Sequence, residues 1–422
     1  MHHEQSALAA ATLRGRARAG MGDARGPRGS GGSSSSPPPS SSSSPPPPSS
    51  SLPLESFVAP GGRGHGLRAT RHLGPGASLL RVAPLAAVPY AAHLDRVCGG
   101  CLQPCDATRR CARCGVARTC ATCAEGTRAS RLHDLECDAL RRLAREDDDA
   151  EGLTLAHVDL RLLLRARAAL RLAEEAKAEE AAASSSQGGG GGGGGVGGGG
   201  GVGAVADASV AAMCSAGDVV VDGAAAFAEL MSGLRGGDDG ALAPDAVEKI
   251  VEVAKQCKYL VAAELRASLD EYCATLGRLQ LNGFEITEAE PTSDGPSSTG
   301  ANANETPGEG FGFARLVPRG GGGGGGHEPV GVGVYPSAAG FNHSCEPNAA
   351  QRFDRHACVV VETTREVRRG EELTIPYVDE RLDAAARNER LWKNFAFECD
   401  CARCARERRD EAAGNQPTDE CA

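Results

Sequence analysis

Four pairs of metal-ligating side chains are packed between Cys98 and Cys137: Cys98-x2-Cys101, Cys111-x2-Cys114, Cys120-x2-Cys123 and His133-x3-Cys137. A two-residue spacer lets both thiolates of a pair reach one ion, and eight ligands suffice for two tetrahedral zinc ions. Zinc suits this set because it has no redox chemistry and accepts thiolate and imidazole alike. No ligand position is left open, so the role is structural. A third set, Cys399-x-Cys401-x2-Cys404, supplies three thiolates and needs a fourth from elsewhere, for which Cys345 is the candidate. Cys105, Cys214, Cys257, Cys273, Cys358 and Cys421 are left over and read as buried or idle thiols. A secreted disulfide framework is the rival reading of so many cysteines. The first thirty residues carry five Arg with Glu4 and Asp23 and no continuous apolar core, so a secretory signal is not expected. An organelle transit peptide is the alternative for that Arg-rich start. The thiolate reading places the chain in the nucleus and/or cytoplasm.

A second constellation lies near the carboxyl end. Gly340-Phe341-Asn342-His343-Ser344-Cys345-Glu346-Pro347-Asn348 resembles the NHSCxPN signature of SET-domain lysine methyltransferases, and Gly370-Glu371-Glu372-Leu373-Thr374-Ile375-Pro376-Tyr377 resembles their GEEL-x-x-x-Y segment. Gly62-Arg63-Gly64-His65-Gly66-Leu67 looks like the family's first cofactor loop. Asn282-Gly283-Phe284 is similar to the segment before the second half of the core, and Phe395-Ala396-Phe397-Glu398-Cys399-Asp400-Cys401 to the post-SET zinc segment. The Cys/His string resembles the MYND zinc finger, whose ligand pairs interleave. The resemblance therefore puts Cys98, Cys101, Cys120 and Cys123 on one ion and Cys111, Cys114, His133 and Cys137 on the other. The family usually spaces its third pair by three residues; here there are two, and Cys105 is a substitute ligand in the same block. With Cys345, Cys399, Cys401 and Cys404, three zinc ions are expected. The resemblance, to the SET and MYND domain-containing lysine methyltransferases, covers residues 54–140 and 245–404.

What the resemblance implies is a protein-lysine N-methyltransferase that uses S-adenosyl-L-methionine on histone and/or non-histone lysines. Such a site must accept a sulfonium cation and a neutral amine while staying dry, which backbone oxygens, amides and aromatic faces achieve. Arg63, Gly64, His65, Asn282, Asn342, His343 and Phe397 are expected around the cofactor. Tyr377 is the expected catalytic residue, orienting the lysine nitrogen. A phenol of pKa about 10 is a poor resting base, so the lysine loses its proton to water or before docking. Phe395, where many relatives carry tyrosine, lines the substrate channel with Tyr377, and its missing hydroxyl bears on how many methyl groups are added. The rival reading is a MYND-mediated interaction module or transcriptional regulator with an inactive SET core. Pro-rich peptides are the expected partners of the finger. Many relatives continue into a helical carboxyl domain, and a more open substrate groove is expected here.

These residues must be positioned by a chain much of which cannot fold. Gly, at 57 residues, and long Ser/Pro tracts point to extended unstructured stretches. Short apolar runs such as Ser78-Leu79-Leu80-Arg81-Val82 read as strands. Val158, Leu162, Ala166 and Ala169, then Val247, Ile250, Val251, Ala254, Val261 and Leu265, recur at helical spacing as two helices. Ala357 to Thr363 and Glu372 to Val378 read as strands again. The family implies an α+β chain, a SET-domain β fold of short pseudoknotted strands with an inserted MYND finger and helical lobe and a zinc-binding post-SET end. The expected division is a Ser/Pro tail (1–52), the first SET part (53–97), the zinc finger (98–137) and a helical insertion (138–288) holding a Gly loop (184–206). A loop (289–329), the SET core (330–380), the post-SET segment (381–406) and a tail (407–422) follow. The formal charge of -10 and 4% aromatics disfavour nucleic acid, and no apolar run is long enough for a membrane span. A monomer acting on a lysine-containing protein is expected.

Overall fold

The computed structural model describes residues 52–59, 64–105, 109–145, 155, 157–186, 220–221, 223–230, 232–234, 242–287, 329–354 and 356–413. Four strands precede the Cys/His block: β1 (Leu54–Val58), β2 (His65–Ala69), β3 (Ser78–Ala83) and β4 (Ala86–Pro89). The block itself holds β5 (Arg109–Arg110), β6 (Arg118–Thr119) and the start of α1 (Arg128–Leu143). Next come α2 (Val158–Ser186), β7 (Val220–Val221), α3 (Ala224–Glu229), α4 (Pro244–Leu260) and α5 (Leu269–Asn282). Strands return as β8 (Gly283–Thr287), β9 (Pro329–Val334), β10 (Asn342–His343), β11 (Ala349–Phe353), β12 (Val359–Thr363) and β13 (Glu372–Ile375), before α6 (Ala384–Phe395) and α7 (Ala402–Ala412).

The strands make small sheets that join early and late sequence. In one, ordered β1-β2-β13-β10, β13 lies between β2 and β10. It pairs antiparallel with β2 (Arg68 with Glu372) and parallel with β10 (His343 with Ile375). A second sheet runs β11-β12-β3-β7 and a third β4-β9-β8. Two apolar clusters lie behind them. One gathers Leu80, Phe284, Val361 and Ile375 from the strands with Tyr335 and Phe341 from the link between β9 and β10; the other joins α1, α2, α4 and α5 to β4 and β9.

Several expectations shift. Helix α2 buries more than the predicted stripe: Leu160, Leu162, Leu163, Leu164, Ala166 and Ala168 are all fully buried, so it runs through the middle of the lobe. It also extends to Ser186, into the expected Gly loop, whose remaining residues lie outside the described ones. The second periodic run is two elements. α4 ends at Leu260, and an extended Val261 and a 3-10 turn (Ala263–Leu265) carry the apolar spacing onward, with Val261 and Leu265 still in the core. α5 is a further helix beyond the two expected, and Ser268 and Glu271 form a capping box at its start. β8, expected in the helical insertion, belongs to the third sheet by pairing with β9. The hairpin before β12 turns through Ala357 at φ 56°, so that strand begins at Val359. α7 continues to Ala412, into the expected tail, with an Arg403–Glu407 pair one turn apart (2.8 Å) on it.

The Cys/His block does not stand alone. α1 places Leu132, Ala139, Leu140 and Leu143 in the helical core, and its Glu136 pairs with Arg165 of α2. Both are buried, with Arg165 Nε donating to Glu136 Oε2 at 2.9 Å and Nη2 to Oε1 at 2.5 Å. Arg165 Nη1 also donates to Gly99 O (2.9 Å) and Ala87 O (3.3 Å), so one guanidinium holds α1, the first zinc loop and β4 together. Burial opposes the charge on Glu136, yet Arg165 and His133 outweigh it and hold the carboxyl below its usual range. Removing one partner of such a pair leaves an uncompensated buried charge. Arg165→Met is therefore expected to lower unfolding free energy by about 3–5 kcal/mol, measured by urea denaturation, and the double variant with Glu136→Leu to recover most of it.

Candidate active site and zinc centres

Three groups of four ligand atoms each gather within 4.8 Å: Cys98, Cys101, Cys120 and Cys123; Cys111, Cys114, His133 and Cys137; Cys345, Cys399, Cys401 and Cys404. A tetrahedron with Zn–S bonds of about 2.3 Å has an S···S edge of about 3.8 Å. The sulfurs stand at 3.9 Å (Cys101 to Cys120), 3.8 Å (Cys111 to Cys137), 3.8 Å (Cys345 to Cys399) and 3.5 Å (Cys345 to Cys404), which fits zinc and is far too long for a disulfide. Backbone N–H groups aim at the sulfurs, those of Gly100 and Cys120 at Cys98 Sγ (3.3 Å each) and those of Val116 and Ala117 at Cys114 Sγ (3.4 Å each). His133 turns Nε2 toward Cys114 Sγ (3.8 Å) and Nδ1 toward the Glu136 carboxylate (3.9 Å), so the ring stands between its ligand set and the Glu136–Arg165 pair. Cys105 packs beside the first group but is not among its four ligands. Cys257, Cys273 and Cys358 are buried, and Cys214 and Cys421 lie outside the described residues.

The candidate site lies where β10 and β13 run side by side. His343 is buried; its Nδ1 accepts the Tyr377 N–H (3.0 Å), which leaves the ring proton on Nε2, facing Cys345 Sγ at 3.3 Å. Burial pushes the imidazole down to about 4, so it stays neutral, as that bonding requires. Tyr377, two residues past β13, donates its hydroxyl to Phe341 O at 2.6 Å. Its ring lies 4.8 Å from Phe395, 5.4 Å from His343 and 6.3 Å, edge-on, from Phe397. Burial, and then the Glu372 carboxylate, raise the phenol above its ordinary 10.0. Phe397 reaches this group because Ala396 closes α6 in the left-handed conformation (φ 57°, ψ 37°) and reverses the chain.

Asn342 Nδ2 donates to Glu372 Oε1 at 2.9 Å. A Cβ on Gly66 would stand 2.7 Å from that Nδ2 and 3.1 Å from that carboxylate oxygen, so a side chain here would press on the Asn342–Glu372 pair. His65, next to it, is exposed at the start of β2; Gly64 (φ 71°) turns the chain with nothing within 4 Å of where its Cβ would be; Arg63 lies outside the described residues. Asn282 ends α5 with Nδ2 bonded to Arg278 O (2.8 Å), just before β8 of the third sheet, whereas Asn342 and His343 sit in the first. Reading by residue type passes over Asn348. Its Nδ2 donates to Glu372 O (2.8 Å) and Glu371 Oε1 (3.2 Å), and its Oδ1 accepts from Thr374 N (2.9 Å). It is the last residue of the NHSCxPN motif and laces that motif to β13.

The family model of the SET domain matches residues 250–378. The histone-lysine N-methyltransferase SMYD3 of Mus musculus is 26% identical over 368 residues, 85% of this chain and 63% of its own. Residues 250–378 thus match the SET domain, and the chain is similar to a SET-and-MYND methyltransferase over most of its length. The Homo sapiens SMYD3 is 40% identical over 83 residues, 20% of this chain and 19% of that protein, and the histone-lysine N-methyltransferase ATXR4 of Arabidopsis thaliana 32% identical over 133 residues, 32% and 35% of the two chains. The chain thus spans less than two thirds of the length of these relatives. In this SET domain Asn348→Ala removes three buried hydrogen bonds; at about 0.5–1.5 kcal/mol each, a loss of about 2–4 kcal/mol is expected in urea denaturation.

Proposed function

We propose that the chain is an S-adenosylmethionine-dependent protein-lysine N-methyltransferase. The observation that carries this is Tyr377: a hydroxyl fixed on the Phe341 carbonyl, ringed by His343, Phe395 and Phe397, beside the Asn342–Glu372 pair. The named relatives, histone-lysine methyltransferases, point the same way.

When bound, S-adenosylmethionine supplies an electrophilic methyl group on a sulfonium. Asn342 and the backbone at His343 would hold the donor, with Gly64 and His65 near it, Phe397 against its adenine, and Arg63 and Asn282 as further candidates that the resemblance implies. Aromatic faces near a cation contribute about 0.5–2 kcal/mol each. Tyr377 sets the acceptor nitrogen in line with the methyl group, and Phe395 lines the lysine channel without adding a polar group. The rate gain comes from positioning and from a dry site. The phenol held above its ordinary pKa stays protonated, so it orients the amine and takes no proton from it. The net charge of -10 suits a lysine-rich protein substrate over nucleic acid. No described helix is long and apolar enough to cross a membrane. The rest of the proposal is a single-copy enzyme of the nucleus and/or cytoplasm, whose MYND finger at 98–137 takes Pro-rich peptides.

The test is transfer of labelled methyl from S-adenosylmethionine to histones and to a cell lysate by the zinc-loaded chain. Label on lysine is expected in the wild type, with a fall of about 10²-fold or more in Tyr377→Phe and unchanged cofactor binding. A chain that binds no cofactor would instead be an interaction module. Because a free lysine amine has a pKa of about 10.4 and the Tyr377 phenol stays protonated, kcat/KM should rise about tenfold per pH unit from 7 to 9 without a falling limb. A decline inside that window would place an ionising phenol in the site.

A further inference from the structure

Arg387 is a cation with no solvent exposure, on α6 two turns before Phe395. Its Nε donates to Cys345 Sγ at 3.2 Å and its Nη2 faces Cys404 Sγ at 3.8 Å, two of the four sulfurs of the third ligand set. Nη1 donates to Leu382 O, and Nη2 also meets the Glu407 carboxylate. Four thiolates on a divalent ion carry a formal charge of about -2, and a buried charge of that size needs a partner. Arg403 and Arg408 reach the same segment, but on backbone carbonyls, at Cys345 O (3.3 Å) and Cys399 O (3.1 Å).

We infer that Arg387 is the counter-ion of the carboxyl-terminal zinc tetrathiolate and, through Cys345, a positioning residue for the aromatic pocket. The sulfur that accepts Arg387 Nε–H also accepts His343 Nε2–H, and His343 fixes the Tyr377 backbone. The inference concerns the zinc centre and stands whether or not the chain transfers methyl groups.

The experiment reads zinc and not turnover. The zinc-loaded wild-type chain, Arg387→Lys and Arg387→Met are challenged with the chromogenic chelator 4-(2-pyridylazo)resorcinol, and release is followed by absorbance, with far-UV circular dichroism as the control for folding. Arg387→Met should release one of three ions about tenfold faster or more, the size typical of lost groups around a metal's ligands, and keep the other two. Arg387→Lys, which retains the charge, should fall between. Methionine fills a buried apolar space better than lysine, so a packing role predicts the reverse order. Release from Arg387→Met as slow as from wild type, or slower than from Arg387→Lys, overturns the inference. Should Arg387→Met fail to fold, Glu407→Gln decides. With the competing carboxylate gone, the guanidinium stays on sulfur and release should match wild type. Tenfold faster release from Glu407→Gln would mean that the Arg387–Glu407 ion pair clasps the helices and the thiolate contacts are incidental.

Discussion

The Cys345 sulfur meets three demands at once. It is one of four thiolates in the third ligand set, it accepts the His343 Nε2–H, and it accepts the Arg387 Nε–H. A neutral thiol donating its own proton would serve the last two poorly; a metal-bound thiolate, with lone pairs and negative charge, serves both. His343 is thereby fixed in one tautomer, the Tyr377 backbone is fixed by His343, and the Tyr377 ring is packed on Phe395. Phe395 and Phe397 in turn lie on the segment that carries Cys399, Cys401 and Cys404. The pocket and the metal centre are two faces of one arrangement. Few aromatic groups are then needed, in a chain with only 4% of them.

The MYND ligand sets connect to the rest differently. His133 links the second set to Glu136, and Glu136 to Arg165, whose remaining donors reach β4 and Gly99. A finger that would be too small to fold on apolar burial shares the helical core through Leu132, Leu140 and Leu143 and is anchored by one buried ion pair. The zinc ions order the loops, while packing fixes where the loops stand.

Much of the metal chemistry was legible because coordination is local: two thiolates for one ion sit two residues apart, and that spacing survives in any fold. The NHSC and GEEL strings were legible as motifs, and the structure brings Asn342, His343, Tyr377, Phe395 and Phe397 to one place. Burial that depends on the whole fold could not be read. Arg161 and Arg165 look like the wet face of an amphipathic helix, yet each is buried on backbone carbonyls or Glu136. Arg387, amid Ala384, Asn388 and Glu389, gives the same false impression of a solvated charge. β8 follows α5 without a break, so periodicity could not assign it to the sheet. Asn348 was visible in its motif, but its role as a lace between two strands depends on β13 lying alongside, which no local pattern declares.

The order β1-β2-β13-β10 bears on how the molecule comes to exist. Arg68 pairs with Glu372, and Gly66 packs against Asn342 and Glu372, so the walls of one pocket are drawn from the two far ends of the described chain. Closing so large a loop is entropically costly and slow compared with local contacts. The MYND ligands lie within one short stretch and can take their metal as soon as that stretch is synthesised. The pocket must wait until Cys404 has emerged, because the third metal centre needs it. During that interval β2, paired only with β1, and β3 have open edges, the condition in which nascent strands are most prone to mispairing. Biosynthesis of this fold is thus ordered in time by metal first and pocket last, and the supply of zinc governs both ends of that sequence.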